Sequence, residues 1–391
     1  MLQDVKIVAF TQFLLGPAAV QYLADMGAQV VKVEPPGRGA YERSWSGGGS
    51  WAQGVSVFFL LAHRNARSIT IDLKSAEGQE LARRLVDEAD VLVENFRPGV
   101  AQRLGLDYED LRQRNPGLIY ATASGYGSDS PYRDLPGQDL LLQAMTGLAA
   151  ATGRAGDPPT AAGAAVVDQH AAALLALGIL GALHHRASTG EGQRVEVTMV
   201  QAALDLQLEP FLYHANGGTV ERPQEPLASA FHEGPYGFYE CRDGHIALSL
   251  SPVKLIGEAL GRSEELRELE DPSVKFTRRE DIHRAISPLL RDYAVADLVE
   301  LLRSHGVWCA PVNDYNAVLA DPIIAHVDPV VTIDHPEAGT VHLVRHPVRY
   351  SAWDADVRRQ PPRLGEHTDA VLEELGVDAD DIARLRETGV V

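Results

Sequence analysis

A chain of 391 residues exceeds the roughly 250–300 at which a single hydrophobic core stops growing, so two domains with ample core are expected. Hydrophobic residues make up 45% and charged residues 23%, an ordinary balance that argues against a disordered chain. The net charge of −19 argues against nucleic acid as a partner, because backbone phosphates need a basic face, and two cysteines are too few for a disulfide framework or a cysteine metal site.

The first third alternates strand and helix signals. Val5 to Phe10 predicts a short apolar strand, Gly16-Pro17 opens a helix running through Met26, and Ala28 to Glu34 predicts the next strand. The absence of a basic, apolar and small-residue signal pattern ahead of this strand makes a cytoplasmic location the expectation. Arg67 to Leu73 predicts another strand, Ser75 caps a helix to Ala89, Asp90 to Asn95 is a strand again, and the pattern repeats through a helix near Tyr108 to Arg114 and a strand at Gly117 to Ser124. Successive βα units imply an α/β, Rossmann-like parallel sheet covered on both faces, with ligands at the carboxyl ends of its strands. The loops there are Thr11 to Leu15, Pro35 to Gly39 and Asn95 to Gly99. No G-x-G-x-x-G follows the first strand and no G-x-x-x-x-G-K-[ST] occurs, so neither dinucleotide nor P-loop binding is supported.

From Ala171 to Leu183 every residue is Ala, Leu, Ile or Gly. A helix that is apolar all round is expected to lie inside the protein, and the run falls short of the ~20 residues that span a bilayer. Asp168 opens it. Its carboxylate could cap the first turn, or, held ionised by those N–H groups beside apolar surface, it could serve as a nucleophile; the residues alone leave both open. Asp139, beside Gln138, could be an acid/base partner or a cap for the segment Leu140 to Ala150. Lys74 and Arg103 could be solvated charges or anion contacts. No G-x-S-x-G or H-E-x-x-H occurs, which discounts a serine hydrolase and a helical metal site.

Around Asn216 to Leu227 a Gly-, Pro-, Glu- and Gln-rich stretch looks like a linker. Beyond it, Tyr236 to Leu250 predicts a hairpin turning at Arg242-Asp243-Gly244, Thr277-Arg-Arg-Glu280 has capping-box spacing, and Ala296 to Ser304 predicts a helix before a strand at Val307 to Val312. The tail ends in a short acidic helix. The expected division is a large domain at 1–215, with a linker and smaller α+β domain at 216–329.

The ordered pieces Gly16-Pro17, Val31-Lys-Val-Glu34, Asn65 to Lys74, Val93 to Gly99, Gly125-Tyr-Gly127, Asp168 with its helix, Thr189 to Arg194 and Leu364-Gly-Glu-His-Thr368 resemble the class III CoA-transferases, the family of formyl-CoA transferase, carnitine CoA-transferase and α-methylacyl-CoA racemase. The resemblance covers essentially the whole chain. It implies a large domain completed by residues 330–391 and an interlocked homodimer. It also implies transfer of CoA from an acyl-CoA to a carboxylic acid, with coenzyme A as substrate and no tightly bound cofactor or metal. Asp168 takes the nucleophile's position. The CoA contacts fall on Gln12, Phe13, Ile71, Lys74, Asn95, Phe96, Arg103 and Leu104, with Arg38 standing in for a lysine that some members carry where this chain has Pro136. Leu14, Gln138 and Asp139 fall at the substrate. Racemases of the family have a histidine at the position of Gln138; an amide cannot transfer that proton, which disfavours racemisation. Leu14, where formyl-CoA transferases have glutamine, implies a less polar acyl group than theirs. The alternatives are an acyl-CoA racemase or epimerase and a non-catalytic acyl-CoA binding protein.

Overall fold

A computed structural model describes all 391 residues. It separates into two compact units: Met1–Leu142, Ala165–Leu206 and Val327–Val391 form the first, Gln143–Ala164 and Gln207–His326 the second.

The first unit is built on strand β1 (Lys6–Phe10), helix α1 (Leu15–Asp25), β2 (Gln29–Glu34), β3 (Ala66–Thr70), α2 (Ala76–Asp87), β4 (Val91–Glu94), α3 (Tyr108–Arg114), β5 (Ile119–Ser124), α4 (Asp139–Met145), which runs past Leu142 into the second unit, α5 (Val166–Thr189), β6 (Gln193–Thr198) and α6 (Met199–Leu206). The six strands form one sheet in the order β3-β2-β1-β4-β5-β6, every neighbouring pair parallel. This is the mixed α/β, doubly wound architecture, whose strand order reverses between β1 and β4 and leaves a crevice outside their carboxyl ends.

The two-residue period of a strand divides the core. Ile7, Ala9, Val91, Val93, Ile119 and Ala121 face α1 and α5, while Val8, Phe10, Val31, Val33, Leu92 and Tyr120 face α2 and the C-terminal helices. Ser75 caps α2, its Oγ accepting from the Gly78 N–H at 2.9 Å.

α5 corrects the sequence reading in two ways. It begins at Val166, so Asp168 is its third residue instead of its first. Nor is it enclosed. Ala171, Ala172, Leu175, Ala176, Ile179 and Ala182 are buried, but Leu177 is 65% exposed and Ala173 and Gly181 also face outward. A cylinder packed on one side by α1 and the sheet buries only that side, whatever its composition. At 24 residues α5 is also long and apolar enough, by length and composition alone, to cross a membrane, unlike the shorter run read from sequence.

The second unit contains α7 (Leu208–Ala215), the hairpin β7 (Gly237–Cys241) and β8 (Gly244–Leu248), helices α8 (Arg279–Leu290) and α9 (Val295–Ser304), and β9 (Cys309–Pro311), which pairs with β8 in a three-stranded sheet. Its core gathers Tyr239, Ile246, Leu248, Ile256, Ile286 and Leu298. The capping-box reading at Thr277 fails: α8 has Arg278 at its N-cap and no side chain caps it. Residues 143–164, expected in the large domain, sit here because the Ala155 N–H donates to Pro223 O and the Arg222 guanidinium to the carbonyls of Thr152, Asp157 and Pro158.

The chain returns to the first unit through a hairpin of β10 (Val330–His335) and β11 (Gly339–Val344), then α10 (Thr368–Glu374) and α11 (Ala379–Glu387). The Thr70 N–H donates to Thr368 Oγ1, and Val371 and Leu372 complete the core beside Ile69 and Ile71.

Candidate active site

A cleft of about 560 Å³ opens where β1 and β4 end. Of the residues singled out in the sequence it brings together Gln12, Phe13, Leu14, Asn95, Phe96, Gln138, Asp139 and Asp168. The strand-end loops are tied to each other: Asn95 Oδ1 accepts from the Gln12 N–H at 2.9 Å and Asn95 Nδ2 donates to Gln12 O at 2.8 Å. Buried Glu94, pushed up by burial, accepts the Phe96 N–H at 2.7 Å and so fixes the turn after β4.

The other side of the cleft is set by a close crossing. A Cβ on Gly125 would stand 2.7 Å from the Gly137 Cα, so only glycine lets the two ends of loop 126–136 meet. Gln138 and Asp139 follow this crossing directly.

Asp139 and Asp168 divide their roles differently from the expectation. Asp139 Oδ1 accepts the N–H groups of Val167 and Asp168, at 2.8 and 3.0 Å. Asp139 is therefore the acceptor at the start of α5, a role the sequence offered as one of two for Asp168. With those donors turned to Asp139, the Asp168 carboxyl lacks what was expected to hold it ionised. Burial first, and the Asp139 carboxylate second, push its pKa from 3.8 to about 7.

The remaining residues lie outside the cleft lining. Arg38 is exposed in the turn after β2, Lys74 is exposed just beyond β3 with its N–H donating to Asp72 Oδ1, and Arg103 is exposed in the short helix Val100–Arg103. Ile71 is 1% exposed in the core, and Leu104 packs against it. The cleft's cations are instead Arg97 and Arg133, and its walls include Tyr41, Trp45 and Phe58. Arg97 stands inside the Asn95–Gly99 loop already identified, so its position carried a signal; Arg133 and the aromatic residues come from stretches without one.

A cavity of about 670 Å³ in the second unit, lined by Phe238, Arg303, Trp308 and Cys309, is larger but has no carboxylate or imidazole, and burial pushes the Cys309 thiol up from its ordinary value. The chemistry therefore points to the first cleft. No group of three or more His, Cys, Asp or Glu side chains is arranged to hold a metal ion.

The sequence profile of CoA-transferase family III matches residues 2–368. The chain is 35% identical to an acyl-CoA transferase of Fusarium pseudograminearum, spanning 100% of this chain and 88% of that one. It is 34% identical to the succinyl-CoA–D-citramalate CoA-transferase of Chloroflexus aurantiacus, spanning 100% and 98%. The crystal structure of a CAIB/BAIF family protein from Brucella suis superposes with a TM-score of 0.82 at 31% identity, covering 95% of this chain and 98% of that one. The protein belongs to CoA-transferase family III and is an enzyme of that class.

Proposed function

We propose that the protein is an acyl-CoA:carboxylate CoA-transferase with Asp168 as its nucleophile. The observation that carries this reading is the position of Asp168: a carboxyl on the first turn of a core helix, lining the crevice at the strand-order reversal, where doubly wound folds bind their ligands. The names of its relatives, transferases that take acyl-CoA or succinyl-CoA, support the reaction class.

In this scheme a carboxylate oxygen of Asp168 attacks the thioester carbonyl carbon, the C–S bond breaks and CoA leaves as thiolate, giving a mixed anhydride. The thiolate attacks the Asp168 carbonyl carbon, releasing the donor acid and leaving an aspartyl-CoA thioester. The acceptor carboxylate attacks that thioester and expels the thiolate, which then attacks the acceptor's acyl carbon and frees Asp168. Each acyl link keeps the thioester's energy from water. Gln12, Phe13, Asn95 and Phe96 line the path for CoA, and Leu14 beside Tyr41, Trp45 and Phe58 suits an acyl group with apolar surface. Lys74, Arg103 and Arg38, exposed beyond the strand ends, are proposed contacts for its phosphates, and Ile71 and Leu104 shape the ground beneath them. No cofactor is needed for these steps. The Gln138 amide is neither acid nor base enough to move a proton at an α-carbon, which speaks against racemisation.

A homodimer belongs to the same reading, supported by the outward apolar face of α5 and by Leu208, Phe211 and Leu212 on α7, each more than 40% exposed. The two free thiols suit a reducing, cytoplasmic setting.

The test is a panel of acyl-CoA donors and free carboxylate acceptors run in deuterated solvent. CoA transfer without deuterium at the α-carbon is expected; α-exchange without transfer would make the protein a racemase, and binding with neither reaction would make it a binding protein.

A further inference from the structure

The cleft loop rests on a buried charge cluster that does not reach the cleft. Lys32, on β2, is 2% exposed, and its Nζ donates to Thr11 O at 2.7 Å and to Glu42 Oε1 at 3.1 Å. Glu42 is fully buried, and its Oε2 accepts the Phe13 N–H at 3.2 Å. His63 Nε2 stands 3.3 Å from Glu42 Oε1, while its Nδ1 donates to Phe59 O at 2.7 Å. With Asn95 holding both polar backbone groups of Gln12, the chain is gripped at residues 11, 12 and 13 in succession.

That grip has something to hold. Phe13 has a φ of 60°, a left-handed conformation that a bulky non-glycine residue adopts only when its surroundings impose it. Its side chain is 42% exposed and lines the cleft, with its ring 5.0 Å from that of Tyr41. An ion pair removed from water is a poor source of net stability, so its presence beneath this loop asks for another use.

We propose that Lys32 and Glu42 are positioning residues: the pair holds the Thr11–Phe13 backbone in the strained form that presents Gln12 and Phe13 to acyl-CoA, and so sets substrate affinity without touching substrate. The proposal rests on reading the cleft as the acyl-CoA site. Its action is preorganisation, because an unclamped loop relaxes to an extended Phe13 and must regain the binding form at the cost of affinity.

Lys32→Met tests it, removing the ammonium while keeping a side chain of similar length in the buried space. The full-length variant is expected to raise the KM for acyl-CoA about tenfold, equivalent to about 1.4 kcal/mol, with kcat within about twofold of the parent. Amide hydrogen exchange should quicken in the peptide carrying residues 11–13. Phe13→Gly, a change within the binding site, removes the need for imposed strain, so adding Lys32→Met to that background should raise KM by much less. If Lys32→Met does not fold, Lys32→Met/Glu42→Gln, which buries no charge there, is measured instead and carries the same expectation. Unchanged KM, unchanged exchange, an equal KM increment in both backgrounds, or failure of both variants to fold would overturn the proposal. A parent without CoA-transferase activity would remove the functional reading, while the exchange measurement would still decide whether the pair clamps the loop.

Discussion

Two sets of carboxylates lie around the end of β1, Glu34 and Glu42 buried and Asp139 and Asp168 half-buried at the cleft, and their fates differ. Glu34 and Glu42 are enclosed with cations. Burial pushes Glu34 up, but the Arg43 hydrogen bonds at 2.6 and 2.7 Å, the Lys32 and Arg43 charges and the Ala40 N–H outweigh it and bring it down to about 2. Glu42 also starts with burial against it and falls well below the carboxylate range, chiefly through Lys32 and then His63. At Asp168 burial acts in the same direction, but the neighbouring charge is the Asp139 carboxylate and no cation offsets it, so the group rises to about 7. Desolvation acts on Glu34, Glu42 and Asp168 alike. Its partners decide whether a carboxylate becomes an anchor or is left reactive.

The largest effect expected from this contrast is on turnover. Asp168→Ala should lower CoA transfer by about 10⁴-fold or more while leaving CoA binding intact, measured by steady-state assay and calorimetric titration. Transfer at even a tenth of the parent rate would remove Asp168 from the chemistry. On the anchor side, Glu34→Gln deprives Arg43 of its paired charge and should cost about 3 kcal/mol in denaturant unfolding, as expected when one partner of a buried pair is removed.

The pH dependence separates the two sets further. The nucleophile acts ionised, so kcat/KM should fall about tenfold per unit as pH drops below about 7. Asp139→Asn keeps an oxygen for the Val167 and Asp168 N–H groups but removes the adjacent charge, so the midpoint should move to lower pH. An unmoved midpoint would leave burial as its sole cause.

The smallest effect is on the pH dependence of stability. The folded pKa of Asp168 lies above its unfolded value, so the native state holds this proton more tightly, and stability is lost as pH rises from the ordinary carboxylate range through about 7. Asp168→Asn escapes that loss and should melt about 2 °C or more above the parent at pH 8, with the gap closing toward pH 4. Glu34→Gln should do the reverse, its deficit being present at pH 8 and fading only in strong acid.

What could be read from the sequence was local. Strand-helix alternation, the Ser75 cap and the Asp243-Gly244 turn are written within a few residues, and they give the parallel sheet and the loops at its carboxyl edge. The helix of Asp168 was visible for the same reason. The role of Asp139 was not, because its N–H partners lie 28 and 29 residues away and meet it only through the Gly125–Gly137 crossing. Lys32 reads as an ordinary residue in an apolar strand, and its partners Thr11, Glu42 and His63 come from three other segments. β6, β10 and β11 carry short, mixed patterns; the pairing partner of β6, β5, lies in a distant segment, β10 and β11 pair only with each other across a short turn, and all three went unread.

The most direct test of the central claim is to trap the acyl link on the enzyme. The protein is incubated with an acyl-CoA that it turns over, quenched with hydroxylamine or borohydride, and mapped by peptide mass spectrometry. Modification of the peptide carrying Asp168, dependent on acyl-CoA and absent from Asp168→Asn, is the predicted result. Full turnover with Asp168 unmodified, or the label on another side chain, would contradict it.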